Sequence, residues 1–122
     1  VPARAEPRLR SLSTDEAYTR GSAGQMVLVD VRTPQEWAET GVPMGAARIE
    51  MNDDNFLKKL QKLKAENPGK EIGLICRTGN RSSVVQSVLA KLGHEDVIDI
   101  RGGLSGTPKD KGWLQARLPV DR

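Results

Sequence analysis

Apolar runs alternate along the chain with stretches in which apolar residues recur every three or four positions. The runs have the length and composition of strands, and the periodic stretches have the spacing of helices. Strands that alternate with helices favour a parallel sheet covered by helices. The predicted strands are 9–12, 26–30, 46–49, 72–76 and 97–100. Because 26–30 is a continuous apolar run closed by Asp30, we expect it at the centre of the sheet, buried on both faces.

Capping signals mark the starts of two predicted helices. Ser13 is followed by Glu16, and Thr33 by Pro34 and Glu36, which are patterns typical of a first helical turn. The predicted helices are 13–20, 33–40, 55–65 and 82–92. The last of these has a stripe of five apolar residues that we expect to face the core: Val84, Val85, Val88, Leu89 and Leu92. Trp113 and Leu114 are expected to anchor a final turn.

Length and composition predict one globular domain. Hydrophobic residues make up 37% of the 122 residues, and 12 glycines bring the apolar share to about the globular average. The longest apolar run is 26–29, far below the roughly 20 residues of a spanning helix, so no membrane span is expected. Residues 1–8 contain two prolines and two arginines and are predicted to form a flexible tail, with 9–122 as the domain.

The composition also excludes several kinds of site. Cys76 is the only cysteine and His94 the only histidine, so an internal disulfide and a cluster of soft metal ligands are excluded, and no cofactor is expected. The net charge is +3, but four scattered aromatic residues make no base-stacking platform, so we expect a small anion and no nucleic acid. The absence of a signal peptide favours the cytoplasm, although a signal removed before Val1 would leave no trace.

The segment from Cys76 to Ser82 joins a predicted buried strand to a predicted helix. Backbone N–H groups in such a turn converge on one point and can hold an anion. The helix start and the nearby Arg77 and Arg81 favour a cysteine thiolate, whereas His94 lies beyond the helix and should point away. A buried cysteine that serves only as a small hydrophobic residue is the alternative interpretation.

The same loop, Cys-Arg-Thr-Gly-Asn-Arg-Ser, resembles the active-site loop of single-domain rhodaneses, which are sulfurtransferases that carry sulfur as a cysteine persulfide. The similarity extends to the segment 29–32, to Glu36 and Trp37, to the pair Gly102 and Gly103, and to 118–120. The resemblance implies an α/β, single-domain rhodanese-like fold with a five-stranded parallel sheet flanked by helices on both faces.

The resemblance also implies a set of site residues. Cys76 would be the catalytic nucleophile, with Asp30 and Arg32 in a supporting shell. The implied donor is a small sulfur anion, either thiosulfate or a persulfide. The implied acceptor is a thiol or cyanide, and a protein partner in a sulfur relay fits the same chemistry. Arg81 is favoured over Arg77 for attracting the donor's negative charge, because it would also close the anion-binding loop. The implied substrate-binding residues are Arg77, Thr78, Gly79, Asn80, Arg81 and Ser82.

Two further expectations concern side chains of this site. We expect Thr78, Asn80 and Ser82 to act through backbone groups or capping, so that their side chains would be replaceable. Arg32 is expected to form a surface pair with Glu36, four positions later.

Other functions are compatible with a reactive thiol. One is a persulfide carrier without turnover, or a redox-sensing module that docks on a partner. A phosphatase or an arsenate reductase is a third interpretation. Four residues separate Cys76 from Arg81, one fewer than in dual-specificity phosphatases, and no second cysteine is present for an internal-disulfide reductase.

The chain departs from the family pattern in two places. Segment 41–46 lacks the histidine of the family and has its proline displaced, so a different turn is expected there. The path of the long loop 103–113 does not follow from the sequence.

Overall fold

Strands and helices alternate along residues 9–122, which is the part of the chain that this computed structural model describes. The predicted tail, 1–8, lies outside it. No helix of the described part is long and apolar enough to cross a membrane. The strands are β1 (Arg10–Leu12), β2 (Met26–Asp30), β3 (Val42–Pro43), β4 (Ala47–Arg48), β5 (Glu71–Ile75), β6 (Val97–Ile100) and β7 (Val120–Asp121). The helices are α1 (Thr14–Ser22), α2 (Pro34–Thr40), α3 (Phe56–Glu66) and α4 (Asn80–Lys91).

The main sheet contains five parallel strands in the order β1-β6-β5-β2-β4, which confirms the predicted fold class. The central strand is β5, so the prediction that 26–30 is central was wrong. Strand β2 lies beside β5, and both are largely buried, so an apolar run alone does not show which of the two strands is central. The register pairs Asp30 with Ile75, which places the carboxyl ends of β2 and β5 side by side.

A capping box is present at both predicted helix starts, at Ser13 as predicted and also at Thr33. The Ser13 and Thr33 hydroxyls accept the backbone N–H of Glu16 and Glu36, whose side chains accept the N–H of the capping residue in return. These reciprocal bonds begin α1 and α2 where the sequence predicts them.

A hydrophobic core lies on each face of the sheet, as expected when neighbouring residues of a strand point to opposite faces. The core against α3 and α4 contains Val29, Val31, Ile49, Leu60, Ile72, Leu74, Cys76, Val85, Leu89 and Val97. The core against α1 and the C-terminal segment contains Leu12, Ala17, Met26, Leu28, Ile75, Ile98, Ile100, Leu104 and Trp113.

The predicted apolar stripe of α4 is only partly buried. Val84, Val88 and Leu92 are more than half exposed, so this part of the prediction was wrong. The buried face of α4 instead includes two polar residues, Ser82 and Gln86. Polar groups on the packed face make hydrophobicity a poor guide to the orientation of this helix.

A small antiparallel sheet, β3 with β7, was not predicted. It pairs the segment after α2 with residues near the C-terminal end of the chain. The segment 41–46, where the sequence departs from the family pattern, therefore contains one strand of this pair. Two-residue strands carry no periodicity that could be recognised in the sequence. Trp113 anchors the C-terminal segment, because it is buried and its Nε1 donates to the Pro119 carbonyl at 2.8 Å, whereas Leu114 is exposed.

Adjacent residues of α4 should differ sharply in their effect on stability. Leu89→Ala should lower the free energy of unfolding by about 2–5 kcal/mol, because it opens a cavity in the core. Val88→Ala, on the exposed face, should change it by less than about 0.5 kcal/mol. Urea unfolding followed by circular dichroism measures both, and equal losses would contradict the orientation of α4 described here.

Candidate active site

Cys76 follows the central strand β5 and lies under the turn that leads into α4. Its Sγ accepts the backbone N–H of Gly79 at 3.0 Å and that of Ser82 at 3.4 Å, and the Ser82 Oγ lies 3.3 Å away. The residue is 1% exposed and forms part of the core on this face of the sheet. The sulfur is therefore both packed in the core and surrounded by hydrogen-bond donors.

The turn depends on Gly79, which is the N-cap of α4. Its φ is +109°, a conformation that residues with a Cβ rarely adopt. The helix begins at Asn80, two residues before the predicted start at 82, so its first turn lies next to the sulfur. The free N–H groups of this turn carry the positive end of the helix dipole, which favours a negative charge on Sγ.

The side chains of the predicted binding residues differ in their surroundings. Arg77 is exposed, and within residues 9–122 its guanidinium takes part in no hydrogen bond or ion pair. Thr78 and Asn80 likewise make no side-chain hydrogen bond there. Ser82 is different, because it is completely buried and its Oγ contacts Sγ, the Gly79 carbonyl and Asp99. The expectation that the Ser82 side chain is replaceable therefore disagrees with these contacts.

Arg81 pairs with Glu36 of α2. Its Nη1 and Nη2 donate to the two carboxylate oxygens, both at 2.7 Å. These hydrogen bonds from Arg81 lower the pKa of Glu36 to about 2, and in turn the bonds to Glu36 raise the pKa of Arg81 above its usual value. Sequence reasoning did not predict this pair, because it joins residues that are distant in the chain.

Arg32 does not pair with Glu36, so that prediction was wrong. It lies buried against Asp30, to which its Nη2 donates at 2.8 Å and its Nε at 3.0 and 3.1 Å. The same Nη2 also donates to Thr40 Oγ1 and to the Gly41 carbonyl. A buried arginine needs such a full set of acceptors, and here they tie the end of β2 to the end of α2.

The segment after β6 packs directly on the cysteine loop. The Leu104 N–H donates to the Cys76 carbonyl at 2.9 Å, and the Ser105 N–H donates to the Arg77 carbonyl at 2.8 Å. At Gly103, a Cβ would lie 2.3 Å from the Cys76 carbonyl oxygen, so only glycine fits there. The two segments form one backbone unit.

The rest of the long loop 103–113 runs beside α1. The Thr14 hydroxyl donates to the Lys111 carbonyl at 3.1 Å, and Asp110 accepts from Arg101 Nε at 3.3 Å. The loop therefore has a defined path that the sequence did not indicate.

Asp99 is a site neighbour that the sequence analysis missed. It lies on the α4 side of β6, nearly buried, and its Oδ1 accepts the Ser82 hydroxyl at 2.5 Å. Burial raises the pKa of Asp99 above its ordinary value. The available signal was a single acidic residue inside the otherwise apolar run 97–100.

His94 takes no part in this site. It lies beyond the C-terminal end of α4, and its Nδ1 is 3.0 Å from Lys64 Nζ. Among the described residues, no group of three or more His, Cys, Asp or Glu could hold a metal ion.

The structure thus combines a parallel sheet with a cysteine that lies at the carboxyl edge of that sheet and accepts backbone N–H groups. The family described as "Rhodanese-like domain" matches residues 13–108. The chain therefore belongs to the rhodanese-like domain family, and its five-stranded sheet is the fold of that family. Membership supports a sulfurtransferase-type or related function.

Related proteins occur in Rickettsia. The chain is 33% identical over 102 residues to the uncharacterized protein RP600 of Rickettsia prowazekii, covering 75% of this chain and 80% of the relative. It is 34% identical over 103 residues to the homologue of that protein from Rickettsia rickettsii, with the same coverage of both chains. These names carry no activity that could be assigned to the present chain.

Many solved structures share the fold, among them two that cover most of this chain. Rv0390 from M. tuberculosis is 25% identical with a TM-score of 0.72, covering 91% of this chain and 96% of its own. RPA3614 from Rhodopseudomonas palustris, described as a "Possible Tyrosine Phosphatase", also has a TM-score of 0.72. The coverage is 93% of this chain and 85% of that one, but at 21% identity the likeness concerns the fold alone.

Gly103→Ala should destabilise the protein more than an ordinary glycine substitution. The control is Gly69→Ala, which has a similar positive φ but nothing within 4 Å of the added Cβ. We expect a loss of about 1 kcal/mol at Gly69 from the backbone conformation alone. At Gly103 the clash should add about 1–3 kcal/mol. Thermal and urea unfolding measure the difference, and equal losses would show that the two segments can separate freely.

The Glu36–Arg81 pair should make stability depend on pH in an acidic window. The pKa of Glu36 falls from 4.5 to about 2 on folding, so its stabilisation is present above pH 4.5 and is lost as the pH falls through about 2. Because Arg81 is about one-third exposed, we expect solvent screening to limit the effect to about 1–2 kcal/mol.

The comparison is between the wild type and Glu36→Gln, by urea unfolding from pH 7 to pH 2. The variant should be less stable at pH 7 and should converge with the wild type toward pH 2. In an Arg81→Gln background, Glu36→Gln should have little effect at either pH. A stability difference that stayed constant with pH would contradict this assignment.

Proposed function

We propose that this protein is a sulfurtransferase that carries sulfane sulfur as a persulfide on Cys76. The donor is a small anion such as thiosulfate, and the acceptor is a thiol or cyanide. Residues 9–122 are proposed to form one rhodanese-like domain. The main support is the pair of N–H groups, from Gly79 and Ser82, that point at Cys76 Sγ in a member of the rhodanese-like family.

The first half-reaction loads the cysteine. The Cys76 thiolate attacks the outer sulfur of thiosulfate and forms a new S–S bond. The bond between the two sulfur atoms of thiosulfate breaks, and sulfite leaves with the electron pair. The persulfide left on Cys76 is an anion, which the positive end of α4 and the loop amides favour.

The second half-reaction unloads the cysteine. A thiolate or cyanide attacks the terminal sulfur of the persulfide, and the S–S bond to Cys76 breaks. The products are a new persulfide or thiocyanate and the Cys76 thiolate, so the enzyme returns to its starting state. No metal or organic cofactor enters either balance.

Arg77 and Arg81 contribute differently to this proposal. Arg77 is exposed and carries an unpaired charge within the described residues, so it can attract an approaching dianion. Arg81 has much of its charge neutralised by Glu36, and its bidentate pair instead holds α2 against the start of α4. We therefore favour Arg77 for donor capture and Arg81 for shaping the site, which reverses the order of preference drawn from the resemblance.

Incubation with excess thiosulfate, desalting and intact-mass measurement should show a gain of one sulfur atom. Cys76→Ser should show none, since this is the only cysteine of the chain. With cyanide present, thiocyanate should accumulate over many turnovers. A stable persulfide without turnover would indicate a carrier instead, and hydrolysis of an aryl phosphate without sulfur loading would indicate a phosphatase.

Removing the charge of Arg77 should slow loading. We expect Arg77→Gln to lower the second-order rate by about tenfold at low salt, and by less at high salt, because screening weakens long-range attraction. Lys91→Gln is the matched control, because it removes an exposed cation at the opposite end of α4. Equal rates for both variants would exclude a role of Arg77 in donor capture.

A further inference from the structure

Three side chains beneath the cysteine loop form a short hydrogen-bonded chain. Ser82 Oγ lies 3.3 Å from Cys76 Sγ and 2.5 Å from Asp99 Oδ1. All three residues are more than nine-tenths buried. The chain therefore runs from the reacting sulfur to a carboxyl group on the neighbouring strand β6, almost shielded from solvent.

The hydroxyl of Ser82 has one hydrogen, and it faces three acceptors. These are the Asp99 carboxylate, Cys76 Sγ and the Gly79 carbonyl, the last two both at 3.3 Å. When Asp99 is ionised, its shorter contact takes the hydrogen, and Ser82 offers a lone pair to the Cys76 thiol. When Asp99 is protonated, it donates to Ser82, and the Ser82 hydrogen is free to support a sulfur anion.

We propose that Asp99 is a positioning residue that shares one proton with Cys76 through the Ser82 hydroxyl. In the forward direction, the Cys76 S–H bond breaks and that proton binds Ser82 Oγ, while the Ser82 proton moves to Asp99 Oδ1. The products are a thiolate, an intact serine and a neutral carboxylic acid. No proton passes to solvent, and nothing is oxidised or reduced.

The surroundings of Asp99 suit this role. Its partners in the sheet are Ser11 on β1 and Leu74 on β5, neither of which carries a charge. The charged groups acting on it are Arg101, which favours the carboxylate, and Asp110, which disfavours it. Burial outweighs the hydrogen bond from Ser82 and raises the pKa of Asp99, which makes proton uptake by this carboxyl easier.

The shared proton would serve the proposed sulfur transfer, and its role in function rests on that proposal. Because Cys76 is almost completely buried, its thiol has little contact with bulk water, and an internal acceptor gives the proton a place to go when the thiolate forms. The proton held by Asp99 can return to Cys76 once the sulfane sulfur has left. Asp99 touches no reacting atom and acts only through Ser82.

The test is the pH dependence of iodoacetamide alkylation in the full chain, where Cys76 is the only thiol. Asp99→Asn keeps the size and a hydrogen-bond partner for Ser82 but cannot take up the proton or the negative charge. In the wild type, a pair that shares one proton loses its second proton only at a higher pH, because the pair already carries a negative charge. Without the Asp99 carboxyl, we expect half-maximal alkylation about one to two pH units lower, with the profile of a single titrating proton. An unchanged or higher midpoint would overturn the proposal.

Two further comparisons separate this role from a structural one. In a Ser82→Ala background, Asp99→Asn should shift the profile by less than half as much, because the connection is already broken. An equal shift in both backgrounds would mean that the charge of Asp99 acts through space, which would also overturn the proposal. Asp110→Asn, which removes a nearby carboxylate without contact to Ser82, should move the midpoint by much less than Asp99→Asn.

Sulfur loading from thiosulfate, measured by intact mass on the same variants, keeps the two proposals apart. Normal loading with an unmoved alkylation midpoint in Asp99→Asn would reject only the shared proton. If Asp99→Asn shows the predicted alkylation shift but the wild type takes up no sulfur, only the sulfurtransferase assignment is rejected.

Discussion

The amides of Gly79 and Ser82 reach Cys76 Sγ because the chain turns sharply from β5 into α4. This turn requires a left-handed backbone conformation at Gly79. It brings the first turn of α4 next to a sulfur that is otherwise enclosed by apolar side chains. Burial alone disfavours a charge on sulfur, whereas aimed N–H groups favour it. The candidate chemistry depends on the second effect, and so on the conformation of a few residues.

Three contacts hold that conformation from different directions. The segment 102–105 donates hydrogen bonds to the carbonyls of Cys76 and Arg77, and it leaves no room for a side chain at Gly103. The Glu36–Arg81 pair holds the start of α4 to α2. The buried Asp30–Arg32 pair in turn fixes the end of α2 through the Gly41 carbonyl. Breaking one member of the buried Asp30–Arg32 pair would leave an uncompensated buried charge, so this pair is the costliest of the three contacts to lose.

The sequence was sufficient for the fold class and for the position of the cysteine loop, because both depend on local signals. Capping boxes, apolar runs and the strand–loop–helix order around Cys76 are all readable within a few positions. The long-range pairs were not readable. Arg81 has several acidic residues that it could meet, and only the folded chain selects Glu36. The apolar stripe of α4 was misplaced for a related reason, since Ser82 and Gln86 are buried by specific hydrogen bonds.

The burial of Cys76 also bears on which donors fit the site. Cys76 is only 1% exposed, so an unhindered atom at the end of a small molecule reaches its sulfur more easily than a crowded atom does. The outer sulfur of thiosulfate is such an atom, whereas the phosphorus of a phosphate ester is surrounded by four oxygens. The short loop between Cys76 and Arg81 leaves fewer backbone amides to surround those oxygens. Access and loop length therefore favour sulfur transfer over phosphate hydrolysis, and they do so independently of the residues that tune the thiol.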